Sequence, residues 1–137
     1  MKEIPAAIYT KLASATGAGT FHALLSGRYY HMEAPQNTAF PLSVFVIDSA
    51  ENDDQFGGSR IMRGSVTFDI YCEAKAGAAV AMDIEEALFA LLDQTQLATG
   101  GSYGALTLQC VSRGVPSVSD EFIVMTTTYS LFTSRIA

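Results

Sequence analysis

Residues 100–104 read Gly-Gly-Ser-Tyr-Gly, the GxSxG spacing in which a sharp turn can lift a serine hydroxyl above a parallel sheet and make it a nucleophile. That chemistry needs a strand before the turn, a helix after it, and an acid and a histidine further along the chain. Here a helical pattern precedes the motif and a strand pattern follows it, and both histidines, His22 and His31, lie upstream. The spacing therefore predicts a loop at Ser102, and a serine hydrolase is the weakest reading of the chain. His22 falls in a helical turn and His31 in a strand pattern, without CxxC or HxxxH spacing, so no metal site is expected. Cys72 and Cys110 sit in strand-like surroundings with no cluster of positive charge to lower a thiol pKa. They read as two reduced, buried thiols, with a disulfide between neighbouring strands as the other reading. Neither a P-loop nor a strand-linked GxGxxG is present, so no phosphate cradle and no cofactor is expected. Arg28 stands beside Tyr29 and Tyr30, a group that can stack on bases, but it is isolated from any other basic cluster.

The one dense charged group is acidic. DSAENDDQ places Asp48, Glu51, Asp53 and Asp54 within seven residues. Carboxylates this close can hold calcium, yet the oxygen spacing of a DxDxDG loop is missing. The plain reading is a solvated hairpin tip; the functional one depends on what the protein assembles into.

These residues need elements to hold them. Period-2 alternation is clean from Arg60 to Cys72: Val66, Phe68, Ile70 and Cys72 take one face, and Ser65, Thr67, Asp69 and Tyr71 the other. A helix over about 77–94 follows, its apolar stripe made by Val80, Ile84, Leu88, Leu91 and Leu92. An earlier helix carries Ile4, Ile8 and Leu12, and a short apolar turn, FHALLSG, ends at Gly27. Extended segments cover RYYHMEAP and PLSVFVID, and ENDDQFGG reads as a polar loop. Two last strands, ALTLQCVS and EFIVMTTTYSLFTS, flank the turn-rich RGVPSVSD. The fold class is α+β, one domain over 1–137: a mostly antiparallel sheet of four to five strands with two main helices packed on one face.

That arrangement leaves the second face of the sheet without cover. In the last strand Ile123, Met125, Tyr129 and Leu131 alternate with Phe122, Val124, Thr126, Thr128 and Phe132. If the first set meets the helices, Phe122, Val124 and Phe132 form an apolar surface seeking a partner, unless the sheet curls over it. Bulk composition leans the same way. Charged residues are 16% of the 137, against roughly 25% in an average soluble domain, while 49% are hydrophobic. No apolar run approaches the ~20 residues that span a bilayer, so the surplus points to protein contacts and not to a membrane. Net charge is −6 and the basic residues are scattered singly, which argues against sequence-neutral binding of nucleic acid. The opening MKEIPAAIYTKL is no secretory signal.

Several stretches, taken in order, carry a resemblance. ALLSGRYYHMEAPQNTAFPLSVFVI, RGSVTFDIYCEA and the AVAMDIEEALFALL helix are similar to the small tail-completion or tail-terminator proteins of long-tailed bacteriophages and gene transfer agents. The shared features are Gly27-Arg28-Tyr29-Tyr30, Ala34-Pro35-Gln36, Pro41 before an apolar strand, and Asp69-Ile70-Tyr71 ahead of the second helix. The resemblance covers nearly the whole chain; the long acidic loop at 48–58 and the short GGSYG crossing depart from it. It implies a structural protein and not an enzyme: a ring of six copies that ends the tail tube and joins it to the head-proximal connector or stopper protein. The ring's partners would be itself, the tube protein and the connector, with DNA passing through unbound. The protein would be assembled in the bacterial cytoplasm and reside at the head-proximal end of the tail. Asp48, Glu51, Asp53 and Asp54 would face the channel or a partner, and Phe122, Val124 and Phe132 would meet neighbouring subunits. A small cytosolic protein-binding module unrelated to phage is the alternative.

Overall fold

The computed structural model describes residues 3–54, 60–97 and 106–135. In chain order the elements are α1 (Glu3–Leu12), α2 (Phe21–Leu25), β1 (Tyr29–His31), β2 (Leu42–Asp54), β3 (Arg60–Glu73), a 3-10 turn (Ala74–Ala76), α3 (Ala78–Leu92), β4 (Thr95–Leu97), β5 (Leu106–Arg113), β6 (Ser117–Val118) and β7 (Phe122–Arg135). The class is α+β as expected, but among the described residues the sheet has seven strands, ordered β1-β2-β3-β7-β5-β4, with β6 also paired to β7. The extra strands, β1, β4 and β6, are two or three residues long, too short to print an alternation on the sequence. All pairings are antiparallel except β1 with β2.

β3 and β7 form the spine, paired without a register break from Arg60↔Arg135 to Glu73↔Phe122. Their alternation sends Val66, Phe68, Ile70 and Cys72, with Ile123, Met125, Tyr129 and Leu131, into one core. The helices roof that face. Ile4, Ile8 and Leu12 come down from α1, Phe21 and Leu25 from α2, and Ala81, Ile84, Leu88 and Leu92 from α3. Phe68 is fully buried where the layers meet, with the rings of Phe45, Tyr129 and Phe21 at 5.3, 5.9 and 6.4 Å. Truncating it to alanine would cost about 3–5 kcal/mol through lost transfer energy and a cavity.

Local chemistry sets the helix ends. Thr20 caps α2, its hydroxyl accepting from the Ala23 N–H at 3.3 Å. α3 begins after Gly77, whose φ of +88° suits a residue without Cβ, and the chain leaves it at Gln94 with φ +55°. Its first turn holds no acidic side chain and its last turn no basic one, so charge does little to favour its dipole at either end. No described helix is long and apolar enough to cross a membrane.

Candidate assembly surface

The face of the sheet away from the helices is built by the second set of alternating residues. Rows cross it in register: Leu42–Tyr71–Val124, Val44–Asp69–Thr126, Val46–Thr67–Thr128 and Asp48–Ser65–Ser130. The middle of the face is polar and internally bonded. Thr126 Oγ1 donates to Asp69 Oδ1 at 2.7 Å, and the Thr67 and Thr128 hydroxyls lie 3.4 Å apart. Phe122 and Val124 stand at one end of β7, half-buried, with Phe122 against Tyr71 at 5.9 Å between centroids. Phe132, 44% exposed, stands at the other end under the Arg63 guanidinium, 5.9 Å from its ring centroid. Phe132 lies eight residue steps along the strand from Val124, about 27 Å at ~3.4 Å per residue. The three residues grouped by sequence thus share a face but form two patches with a hydroxyl-rich strip between them.

Beside Phe122 the face is concave. Met32, Phe40, Leu42, Val44, Tyr71 and Phe122 line a groove of about 460 Å³, open to solvent and chiefly apolar. Arg28 holds its rim, Nε donating to the Pro41 carbonyl at 3.0 Å and Nη2 to that of Phe40 at 3.3 Å. The arginine next to two tyrosines is a clamp on backbone carbonyls here, and its fork of donors explains why that position suits Arg better than Lys.

The acidic stretch is placed differently from the sequence expectation. Glu51–Asp54 are not a loop: β2 continues through them, and residues 55–59 lie outside the described residues. A bulge between Asp48 and Glu51 shifts the alternation, so that Asp48, Glu51 and Asp53 fall opposite Ser65, Arg63 and Ile61, alternate positions of β3. Asp54 falls opposite Arg60, which is itself paired with Arg135. The arm is therefore mixed in charge at the level of register, with arginines set across from the acids. The length of β3 carried this information, since a 14-residue strand in a hairpin calls for a partner of similar length.

Two features had little sequence signal. Glu85 lies on the buried stripe of α3, 2% exposed, where Arg113 reaches it with a fork of two 2.6 Å bonds. Arg113 points there because a bulge between Cys110 and Ser112 returns it to the helix-covered face. Its guanidinium also lies 4.1 Å over the Phe89 ring, and the hydrogen bonds it donates to Glu85 push its pKa above the usual arginine range. The available clue was an acid spaced i+4 from Ala81 and i−3 from Leu88, inside an apolar stripe. The second feature is a pair of side-chain bonds to strand N–H groups. The His31 N–H of β1 donates to the Tyr9 hydroxyl at 2.7 Å, and the Cys110 N–H of β5 donates to Asp93 Oδ1 at 2.9 Å. Side chains thus take up one N–H on β1 and one on β5 that no neighbouring strand uses.

The catalytic candidates come apart. Ser102 and the whole GGSYG motif lie outside the described residues. His22 hydrogen-bonds through Nδ1 to the Tyr29 hydroxyl at 2.7 Å, and His31 packs on Phe45 at 5.1 Å, so the two histidines serve separate local contacts. Cys72 and Cys110 are free thiols, on strands separated by β7, and burial raises the pKa of each. Among the described residues no cluster of three metal-ligating side chains occurs.

No family model matches the chain, and neither does any curated protein. Solved structures do. A chain from the virion of a native gene transfer agent particle is 16% identical and superposes with a TM-score of 0.68, covering 94% of this chain and 92% of that one. A second solved chain, also 16% identical, gives a TM-score of 0.73 over 99% of this chain and 96% of its own. At that identity the likeness is one of fold, and it extends over nearly the full length of both partners.

Proposed function

We propose that this chain is a structural protein of a phage-like particle, a single-domain tail terminator whose copies, six in number, close into a ring at the head-proximal end of the tail tube. The observation that carries the proposal is the near end-to-end fold match with a virion chain of a gene transfer agent. The open sheet face supports it physically: an apolar groove and apolar patches at both ends are surfaces a lone subunit leaves wet. In this reading Phe122, Val124 and Phe132 meet neighbouring subunits, and the arm bearing Asp48, Glu51, Asp53 and Asp54 faces the channel or the tube protein. The head-side partner is a connector or stopper protein. DNA passes through the ring without specific contact, the chain's net charge of −6 opposing phosphate binding on balance. No catalytic step, cofactor or metal is assigned to it.

Location is the test. Particles assembled with an epitope-tagged copy should carry the label at the junction of head and tail. Label along the tube, on the capsid or nowhere on the particle would rule the proposal out.

A further inference from the structure

The groove beside Phe122 is bordered by charge of one sign. Its floor is the open face of β2, where Leu42, Val44 and Val46 alternate over four residue steps, about 14 Å at ~3.4 Å per residue. One bank comes from the turn after β1 and carries Glu33; the other comes from β3, where Asp69 stands opposite Val44 in register. At Phe40 the groove adjoins a second cleft, lined by Glu73, Asp120 and Glu121. Two cations of this region are already engaged. Lys75 lies 3.4 Å from Glu73, and the Arg28 fork is turned onto the Phe40 and Pro41 carbonyls. Among the described residues the groove's own lining holds carboxylates and no cation. Apolar side chains stand out into water at its mouth, Met32 66% and Phe40 38% exposed. Met32 is held there by a left-handed backbone, φ +71°, fixed by its N–H bond to the Phe45 carbonyl at 2.9 Å.

We infer that this groove holds an apolar segment flanked by lysine or arginine, supplied by a protein of different sequence from this one. The inference goes beyond the ring reading, which concerns copies of this chain, and does not depend on it. Charge decides the occupant. Nucleic acid and anionic lipid would bring negative charge to a negative rim, and a second copy, with a net charge of −6, would do the same. Among the arginines of a second copy, Arg113 is bound to Glu85, and Arg60 and Arg135 share a row with Asp54. A cationic segment matches both parts of the surface. Its apolar centre covers Met32, Phe40 and the β2 floor, while its flanking cations meet Glu33 and Asp69 on the banks and the acids of the adjoining cleft. Phe122 closes the groove and Val124 lies outside its lining, so this contact borders the surface given to neighbouring subunits and does not replace it.

The test is peptide binding to the full chain, read by fluorescence anisotropy. The probes are short synthetic peptides whose centre mixes Leu, Ile, Val, Phe and Met, flanked by lysines, by glutamates or by serines. Lysine-flanked probes should bind at least about tenfold tighter than either other set, and lysine-flanked probes with a Gly-Ser centre should not bind. Glu33→Lys should weaken the lysine-flanked probes and strengthen the glutamate-flanked ones. Met32→Gly, which suits the left-handed backbone, should weaken every probe with an apolar centre. Both side chains are exposed, so neither variant should melt below wild type. Equal binding of lysine- and glutamate-flanked probes, or no binding by any, would overturn the inference. Self-association that Met32→Gly removes, with peptides unable to compete for it, would give the groove to a second copy and overturn it as well. Duplex DNA and phosphatidylglycerol vesicles should not bind; binding of either that the same variant abolishes would count equally against it.

Discussion

Arg113 and Glu85, 28 residues apart in sequence, meet through two 2.6 Å bonds where β5 passes α3. The carboxylate is 2% exposed and the guanidinium side chain 41% exposed, so the pair is neither a surface bridge nor fully dry. Its importance lies in what its removal leaves behind. Arg113→Ala strands a buried carboxylate and should cost about 2–3 kcal/mol in urea unfolding. Replacing both residues, with Glu85→Leu and Arg113→Met, should recover most of that loss. A double variant as weak as the single one would mean that the pair contributes more than charge compensation.

Next to Arg113, Gly114 is a steric requirement. A Cβ built there would stand 2.3 Å from the Thr126 carbonyl oxygen, a backbone atom that cannot step aside. Gly114→Ala should therefore destabilise by about 2–3 kcal/mol. Gly17→Ala, where nothing lies within 4 Å, should fall within about 0.5 kcal/mol of wild type. Equal melting temperatures for the two variants would contradict the close approach of the β5–β6 turn to β7.

Tyr129 gives a pH signature. Its hydroxyl is buried without a partner, and burial pushes its pKa well above the ordinary value of 10.0. Above pH 10 the unfolded chain releases this proton while the folded chain keeps it. Its contribution to stability is thus fully present below pH 10 and is lost as pH climbs toward the raised folded value. Tyr29 and Tyr71 shift in the same direction, so the difference between wild type and Tyr129→Phe isolates the one residue. The variant should be about 1 kcal/mol more stable at neutral pH, relieved of an unpaired hydroxyl, and should lose less stability between pH 9 and pH 11. A variant that is less stable at pH 7 would show that the hydroxyl has a partner.

Where the sequence was readable, packing and periodicity agreed. Val66, Phe68, Ile70 and Cys72 alternate because one face of β3 is sealed by helices and the other is not, and that contrast is written directly as apolar against polar. The α3 stripe was equally plain. Illegible were the elements whose definition lies in partners distant in the chain. β1, β4 and β6 exist because β2, β5 and β7 offer them a ladder, and three residues carry no period of their own. The polar half of β2 was hidden for another reason: its residues owe their extended form to pairing with β3, not to burial. The two bulges, at Asp48/Glu51 and Cys110/Ser112, reverse which residues share a face, and no count of alternation can anticipate that. The surface set Phe122, Val124 and Phe132 was found by alternation, but its division into two patches follows only from length along the strand.

The acidic arm can be tested by charge reversal. If Asp53 and Asp54 face the channel, changing both to lysine should leave ring formation intact and slow or block DNA delivery by assembled particles. Arg60 stands across from Asp54 in register, so the reversal also sets like charge against like at that position. A modest loss of stability, about 0.5–1 kcal/mol, is expected alongside. Normal delivery by the double variant would remove the arm from the channel.

Self-association of identical subunits is the central claim, and direct imaging tests it best. Negative-stain class averages of the purified full chain, alone and mixed with purified tail tubes, should show closed rings with a central opening, free in solution or capping tube ends. Uniform single-subunit particles in both samples, with bare tube ends, would contradict it.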